Sequence, residues 1–315
     1  MSLCHCPERC PEHCSGQPRR FLGSELPWRP AEECRYHIIS VPYEDNVSYG
    51  GGTSLGPAAV LEASDQLESW DGESVPGDDG IFTGPVVDCT GSPEAVLSRI
   101  ERAVTAALDL GNRPVLLGGE HTVTLGALRA IARRRKAQGR PKFGLIQFDA
   151  HGDLRNSYEG TPYSHGSVMR RACDLEIPLM QIAVRSLCLE EVEFRKAYGV
   201  HHLDAAEFSR LGGLAAASQP GFKLLPDDFP EDIYITFDID ALDASLMPAT
   251  GTPDPGGLSW YEALRLLELA VAGRNIIGLD LVEVAPMPGY HAAEFTAAKL
   301  LYYLMGIIQR RAAKP

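Results

Sequence analysis

Residues 143–153 read Phe-Gly-Leu-Ile-Gln-Phe-Asp-Ala-His-Gly-Asp, a short, mostly apolar run that ends in Asp149, His151 and Asp153. A strand buried on both faces of a parallel sheet has this near-continuous apolar character, and its carboxyl end is where such sheets place a ligand. Three other stretches share the pattern. Val115-Leu116-Leu117 leads into Gly118-Gly119-Glu120-His121, Ile233–Phe237 into Asp238-Ile239-Asp240, and Gly278–Val282 into Glu283.

Working outward, the strand candidates are Tyr36–Pro42, Val86–Cys89, Pro114–Leu117, Phe143–Phe148, Pro178–Val184, Val200–Leu203, Asp232–Phe237 and Ile276–Val282. Helices fall between them with readable ends. Ser92-Pro93 opens one that runs to Leu110 and stops at Gly111, the Pro-inside, Gly-beyond asymmetry of a helix. Ser259 and Glu262 form a capping box before Ala263–Ala272. Pro57 opens Ala58–Trp70, His291–Arg311 makes a long final helix, and Arg133–Lys136 puts cations at a helix C-terminus. Such alternation predicts an α/β fold: a doubly wound, mostly parallel eight-stranded sheet with helices on both faces.

The chain has 315 residues, 44% apolar and 23% charged, enough for one large core without disulfides. Its net charge of −13 repels phosphate backbones and anionic lipid, so neither nucleic acid nor membrane is an expected partner. No apolar run approaches the ~18 residues of a bilayer span. Met1–His5 has neither the basic nor the apolar region of a secretory signal, and the expected location is cytoplasmic. Residues 1–34 lack periodicity and carry Cys4, Cys6, Cys10, Cys14 and Cys34. They read as an N-terminal arm for which a metal site, a disulfide or a plain surface segment stay open, followed by one domain over 35–315.

Extended side chains at i, i+2 and i+4 project to one side, which groups Asp149 with His151 and Asp153, and Asp238 with Asp240. If the strand ends are neighbours, four carboxylates converge, and their repulsion calls for cations. Two divalent ions would neutralise them, with His121 and His151 as neutral donors. Oxygen and imidazole ligands without thiolate suggest Mn2+ first, then Fe2+, Co2+, Ni2+ or Zn2+.

Together, Gly-Gly-Glu-His121, Phe-Asp149-Ala-His151-Gly-Asp153, Thr-Phe-Asp238-Ile-Asp240 and Ala-Thr-Gly-Thr252-Pro-Asp-Pro-Gly-Gly resemble the ureohydrolase family of arginases and agmatinases. Ser164-His165-Gly-Ser-Val-Met, Gly-Leu-Asp280-Leu-Val-Glu283 and Asp45-Asn-Val-Ser-Tyr-Gly-Gly-Gly-Thr53 are most similar to the agmatinase branch. The resemblance spans roughly residues 35–310 and implies an arginase-like catalytic domain holding two Mn2+ per subunit. His121, Asp149, Asp153 and Asp238 would hold one ion, and Asp149, His151, Asp238 and Asp240 the other. It further implies a metal-bridging hydroxide that attacks a guanidinium carbon, Glu283 on the guanidinium, His165 as proton shuttle, and Thr252 supporting the substrate. A trimer or hexamer is the implied assembly.

Two departures bear on substrate. Arg155 stands where arginases carry the Asn that reads the substrate carboxylate, and Cys188 where they carry an acidic reader of the α-amino group. Arginine is therefore disfavoured, and a small cationic guanidino substrate, agmatine, is expected. Guanidinobutyrate, another guanidino acid or formimidoylglutamate are the alternatives, and a non-enzymatic metal-loaded scaffold is the third reading. Arg155 would face outward, pairing with Glu159 or a neighbouring subunit, or bind the carboxylate of a guanidino acid.

Overall fold

The computed structural model describes residues 19–312. Eight strands form one sheet: β1 (Tyr36–Val41), β2 (Ile81–Thr83), β3 (Arg113–Gly118), β4 (Gly144–Phe148), β5 (Leu179–Ile182), β6 (His201–Leu203), β7 (Asp232–Asp238) and β8 (Asn275–Val282). Their order is β2-β1-β3-β8-β7-β4-β5-β6, and every pairing is parallel. The helices are α1 (Gly56–Ser64), α2 (Pro93–Asp109), α3 (Thr124–Ala137), α4 (Val168–Asp174), α5 (Leu189–Tyr198), α6 (Ala205–Leu211), α7 (Gly213–Ala217), α8 (Trp260–Val271) and α9 (Ala292–Ala312).

Strand alternation sends side chains to two cores. On one face Ile146, Phe148, Ile235, Phe237, Leu279 and Leu281 pack with Val60 of α1, Leu266 of α8 and Met305 of α9. On the other, Leu116, Leu145 and Tyr234 meet Ile100 of α2, Leu128 of α3 and Met169 of α4. Burying each such side chain contributes about 1.5–3 kcal/mol. Phe148 and Phe237, paired across β4 and β7, stack at 5.1 Å.

The four strands flagged by their acidic ends, β3, β8, β7 and β4, are consecutive in this order. The chain leaves β3 for β4 and only later fills the gap with β7 and β8. Where strand order reverses, the connections diverge and leave a crevice beyond the carboxyl ends.

Two elements differ from expectation. The second strand is Ile81–Thr83 rather than Val86–Cys89. Pro85 has no N–H to add to the ladder, so pairing with β1 ends before it. Gly84 N–H and Val87 N–H still donate to Ile38 and Ser40 of β1. Helix α1 stops at Ser64, short of Trp70. Ser64 Oγ donates back to the Leu61 carbonyl and accepts from Leu22 N–H, while Asp65 takes Ser24 N–H, so a neighbouring segment docks across the helix end.

That segment belongs to the expected arm. Phe21 and Leu22 are buried, and Phe21 N–H donates to Thr83 Oγ1. Residues 19–34 thus pack on the domain, and Cys34 is a buried free thiol. Cys4, Cys6, Cys10 and Cys14 lie outside the described residues. Among the described helices none is long and apolar enough to cross a membrane.

Candidate active site

Gly119, after β3, lies so close to the Tyr43 carbonyl that a Cβ there would sit 2.1 Å from it. Only glycine permits this approach. It lets Glu120 N–H donate to Tyr43, and the chain then turns His121 inward at the start of the turn leading to α3. His121 is fully buried, and its Nδ1 lies 3.2 Å from Asp149 Oδ2, 3.1 Å from Asp153 Oδ2 and 3.4 Å from Asp238 Oδ2. His151 Nδ1 lies 3.0 Å from Asp240 Oδ2 and 3.6 Å from Asp149 Oδ1. All six ligand candidates of the sequence therefore meet in one cage.

They do not meet by extended alternation alone. Asp153 has φ of 53° and Asp240 sits on a short 3-10 turn that caps β7. The left-handed region costs a non-glycine residue about 1–3 kcal/mol and is characteristic of strained functional positions. Glu283, at φ 65°, is a second such residue in the site.

The buried hydrogen bonds set the state of His121. Asp280 is fully buried and accepts from three hydroxyls: Thr236 at 2.6 Å, Thr124 at 2.8 Å and Tyr234 at 2.9 Å. Having given its only proton to Asp280, Thr236 Oγ1 can only accept from His121 Nε2–H, 2.8 Å away. In the neutral ring that leaves a lone pair on Nδ1, an atom without a hydrogen-bond partner, facing three carboxylate oxygens. A lone pair among carboxylates is repulsive unless a cation stands between them. The donor set thus fits a metal, with His121, Asp149 and Asp153 close enough to share one ion and Asp149, His151 and Asp240 another.

Asp149 is oriented by its own buried chain. Gln147 Nε2 donates to Asp149 Oδ2 at 2.7 Å, Gln181 Nε2 to Gln147 Oε1 at 2.6 Å, and Arg195 Nε to Gln181 Oε1 at 2.9 Å. Burial disfavours a charge on His151, but Asp149 and Asp240 outweigh it and hold its pKa up to about 12. Burial and the neighbouring carboxylates Asp240 and Asp149 push Asp238 well above the usual carboxylate range. Both shifts follow from crowding carboxylates and imidazoles in one buried cage, where a proton is held wherever it lessens the repulsion between carboxylates.

The cage opens into a cavity of about 520 Å3. Glu283 lines it, its Oε1 accepting from His121 N–H at 2.7 Å. Burial and nearby Glu120 raise its pKa well above normal, so a bound cation would relieve it. His165 lines the same cavity, with Nε2 2.7 Å from Ser48 Oγ, and burial and the positive His121 and His151 push it down to about 4. Thr252 reaches the cavity from the loop after β7, where Gly50 N–H donates to the Gly251 carbonyl.

Arg155 is a wall residue of the cavity rather than an outward partner of Glu159: its guanidinium lies 5.3 Å from the centre of the Tyr158 ring. Cys188 also lines the cavity and caps the start of α5, its N–H donating to Glu191 at 2.8 Å.

Ser48, Tyr158, Thr236, Asp280, Gln147 and Gln181 carry no site role in the sequence reading. Ser48, Thr236 and Asp280 lie inside quoted motifs, and the buried Gln147, Gln181, Thr236 and Asp280 interrupt otherwise apolar strands. A polar side chain at a central strand position was the available signal, because it must find a partner once buried.

Comparison with known proteins gives a consistent picture. Residues 34–306 match the Arginase family. The chain is 36% identical over 306 residues to an N(1)-aminopropylagmatine ureohydrolase of Synechocystis, covering 94% of this chain and 96% of the relative. It is 34% identical over 283 residues to an agmatinase of Bacillus subtilis, covering 88% and 91%. The crystal structure of an agmatine ureohydrolase from Thermoplasma volcanium superposes with a TM-score of 0.78 at 28% identity, covering 95% of this chain and 97% of the other.

Proposed function

The chain belongs to the arginase family, and on that premise we propose that it hydrolyses agmatine to putrescine and urea, using two divalent metal ions, Mn2+ by preference. His121, Asp149, Asp153 and Asp238 would hold one ion, and Asp149, His151, Asp238 and Asp240 the other. When bound, such a pair lowers the pKa of a water and so supplies a nucleophile at neutral pH.

The protein's own residues supply the rest. Glu283 accepts hydrogen bonds from the guanidinium, whose planar fork suits a carboxylate, and the cation stabilises its buried charge. One water adds to the guanidinium carbon, the bond from that carbon to the alkyl nitrogen breaks, and His165 hands a proton to the departing amine. Burial disfavours a charge on His165, so the ring favours the neutral form between turnovers, ready to take the proton it then delivers. Thr252 borders the substrate from the far loop. The observation that carries this reading is the unpartnered His121 Nδ1 among three carboxylates, beside Glu283 and open to a cavity.

Arginine fits less well, since Arg155 and Cys188 replace the readers of its carboxylate and α-ammonium. Burying those charges unpaired is costly. The position of Arg155 in the cavity wall supports a second reading, a guanidino acid such as guanidinobutyrate. Urea release from agmatine, N(1)-aminopropylagmatine, guanidinobutyrate and arginine, with Mn2+ added, separates these. The proposal expects agmatine or its aminopropyl derivative to be turned over fastest; faster turnover of guanidinobutyrate moves the assignment to the acid.

A further inference from the structure

Ser48 sits on the 45–50 loop and faces two ring residues at once. Its Oγ is 2.7 Å from His165 Nε2 and 3.0 Å from the Tyr158 hydroxyl. The Tyr158 and His165 rings meet edge to face, 5.3 Å apart at 71°, and Arg155 stacks over Tyr158 from 5.3 Å. These residues come from segments 117 and 110 positions away from Ser48 in the chain.

The loop is fixed on both sides. Asp45 N–H and Asn46 N–H donate to Glu120 at 2.7 and 3.1 Å, and Gly50 N–H donates to the Gly251 carbonyl at 3.0 Å. Just beyond, Gly52 N–H and Ser54 N–H donate to Glu44 at 2.7 and 3.0 Å. An exposed serine between such anchors keeps a defined position without being buried.

A histidine that gains and loses a proton changes what it asks of the partner at the titrating nitrogen. The bare nitrogen needs a donor and the protonated one an acceptor. A carboxylate only accepts and an ammonium only donates, whereas a hydroxyl does both. Ser48 can donate to bare Nε2, or accept from Nε2–H while turning its own proton to the Tyr158 oxygen. The other groups around His165 are the Asn46 carbonyl, which only accepts, Asp149, His121 and His151 on the cage side and Arg155 behind Tyr158; none offers both roles at Nε2.

We propose that Ser48, backed by Tyr158, is a positioning residue that holds the His165 ring in the same orientation in both of its protonation states. This rests on the reading of His165 as the group that delivers a proton to the departing amine. The test compares Ser48→Val with Ser48→Thr, two side chains of nearly equal shape of which only one keeps a hydroxyl. In the metal-loaded full chain, S48V should lose about tenfold or more in kcat with KM changed by less than about twofold, and S48T should recover most of the loss. Metal content stays that of the unmodified protein in both. A second readout needs no turnover: ring 15N signals of His165 should shift toward a changed tautomer balance in S48V and stay in place in S48T.

Unmodified kcat and unmodified ring signals in S48V overturn the proposal. So does a raised KM at constant kcat, which would make Ser48 a substrate contact. Absence of urea from every guanidine tested with the unmodified protein would refute the functional reading instead, and the ring signals then decide the role of Ser48 on their own.

Discussion

Thr236→Val probes the buried contacts that hold His121. The substitution nearly conserves volume, so no cavity is opened. It removes the acceptor of His121 Nε2–H, 2.8 Å away, and one of the three donors to Asp280. His121 and Asp280 are both fully buried, so no water replaces either contact. An unsatisfied buried donor costs about 1–3 kcal/mol and a lost bond to a carboxylate about 1.5–3 kcal/mol. The two Asp280 donors that remain, Thr124 and Tyr234, offset part of this. A loss of about 2–4 kcal/mol is expected on balance. The imidazole is also freed to rotate or exchange tautomer, which should weaken metal binding by roughly 10–100-fold. Denaturant unfolding with chelator and with Mn2+ separates the two effects. The variant should be destabilised in both conditions, and more so with metal, because binding to the folded state adds to stability. A chelator competition assay reads the affinity directly. Unchanged affinity in a folded Thr236→Val variant would refute the inference that Thr236 sets the His121 tautomer for ligation.

Three other outcomes are expected of the site. Glu283→Gln should keep metal yet lose roughly 10–100-fold in kcat/KM, the value of a charged hydrogen bond to the guanidinium; steady-state kinetics beside elemental analysis checks it. His165→Ala should lower kcat by about 10²–10⁴-fold with metal content intact, and loss of a metal would reassign the histidine as a ligand. The metal-free cage holds protons: His121 is raised well above normal and His151 to about 12, the carboxylates outweighing burial. A raised histidine pKa stabilises the metal-free fold fully below its unfolded value of about 6.5 and progressively less as pH rises toward the folded value. Mn2+ must displace these protons, so its affinity should fall as pH drops from about 8.5 to about 6.5, and calorimetry in buffers of different ionisation enthalpy should detect proton release.

The sheet and the cage were legible in the sequence for one reason: buried parallel strands are apolar until they end, and the charged residues just past each end are conspicuous. His121, Asp149, Asp238 and Glu283 stand at such ends, and the sheet order makes those ends neighbours. Helix ends were equally readable where local chemistry decides them, as at Ser92 and at the Ser259–Glu262 box. Val86–Cys89 misleads because its apolar content outweighs the single missing N–H of Pro85. The contacts that stayed hidden depend on long-range meetings. Gln147 pairs with Gln181 across β4 and β5, Thr236 with Asp280 across β7 and β8, and Ser48 with Tyr158 and His165 through loops. No local spacing encodes those contacts. The direction of Arg155 was hidden likewise, since it depends on the ring of Tyr158 beside the cavity.

The most direct test of a metal-assembled amidine hydrolase is titration of the chelated protein with Mn2+, measuring bound metal and urea release from agmatine on the same samples. The account predicts no activity at zero metal, a rate that rises with occupancy, and saturation at two ions per chain. Full urea release by the metal-free protein, or two bound ions with no urea from any guanidine offered, would contradict it.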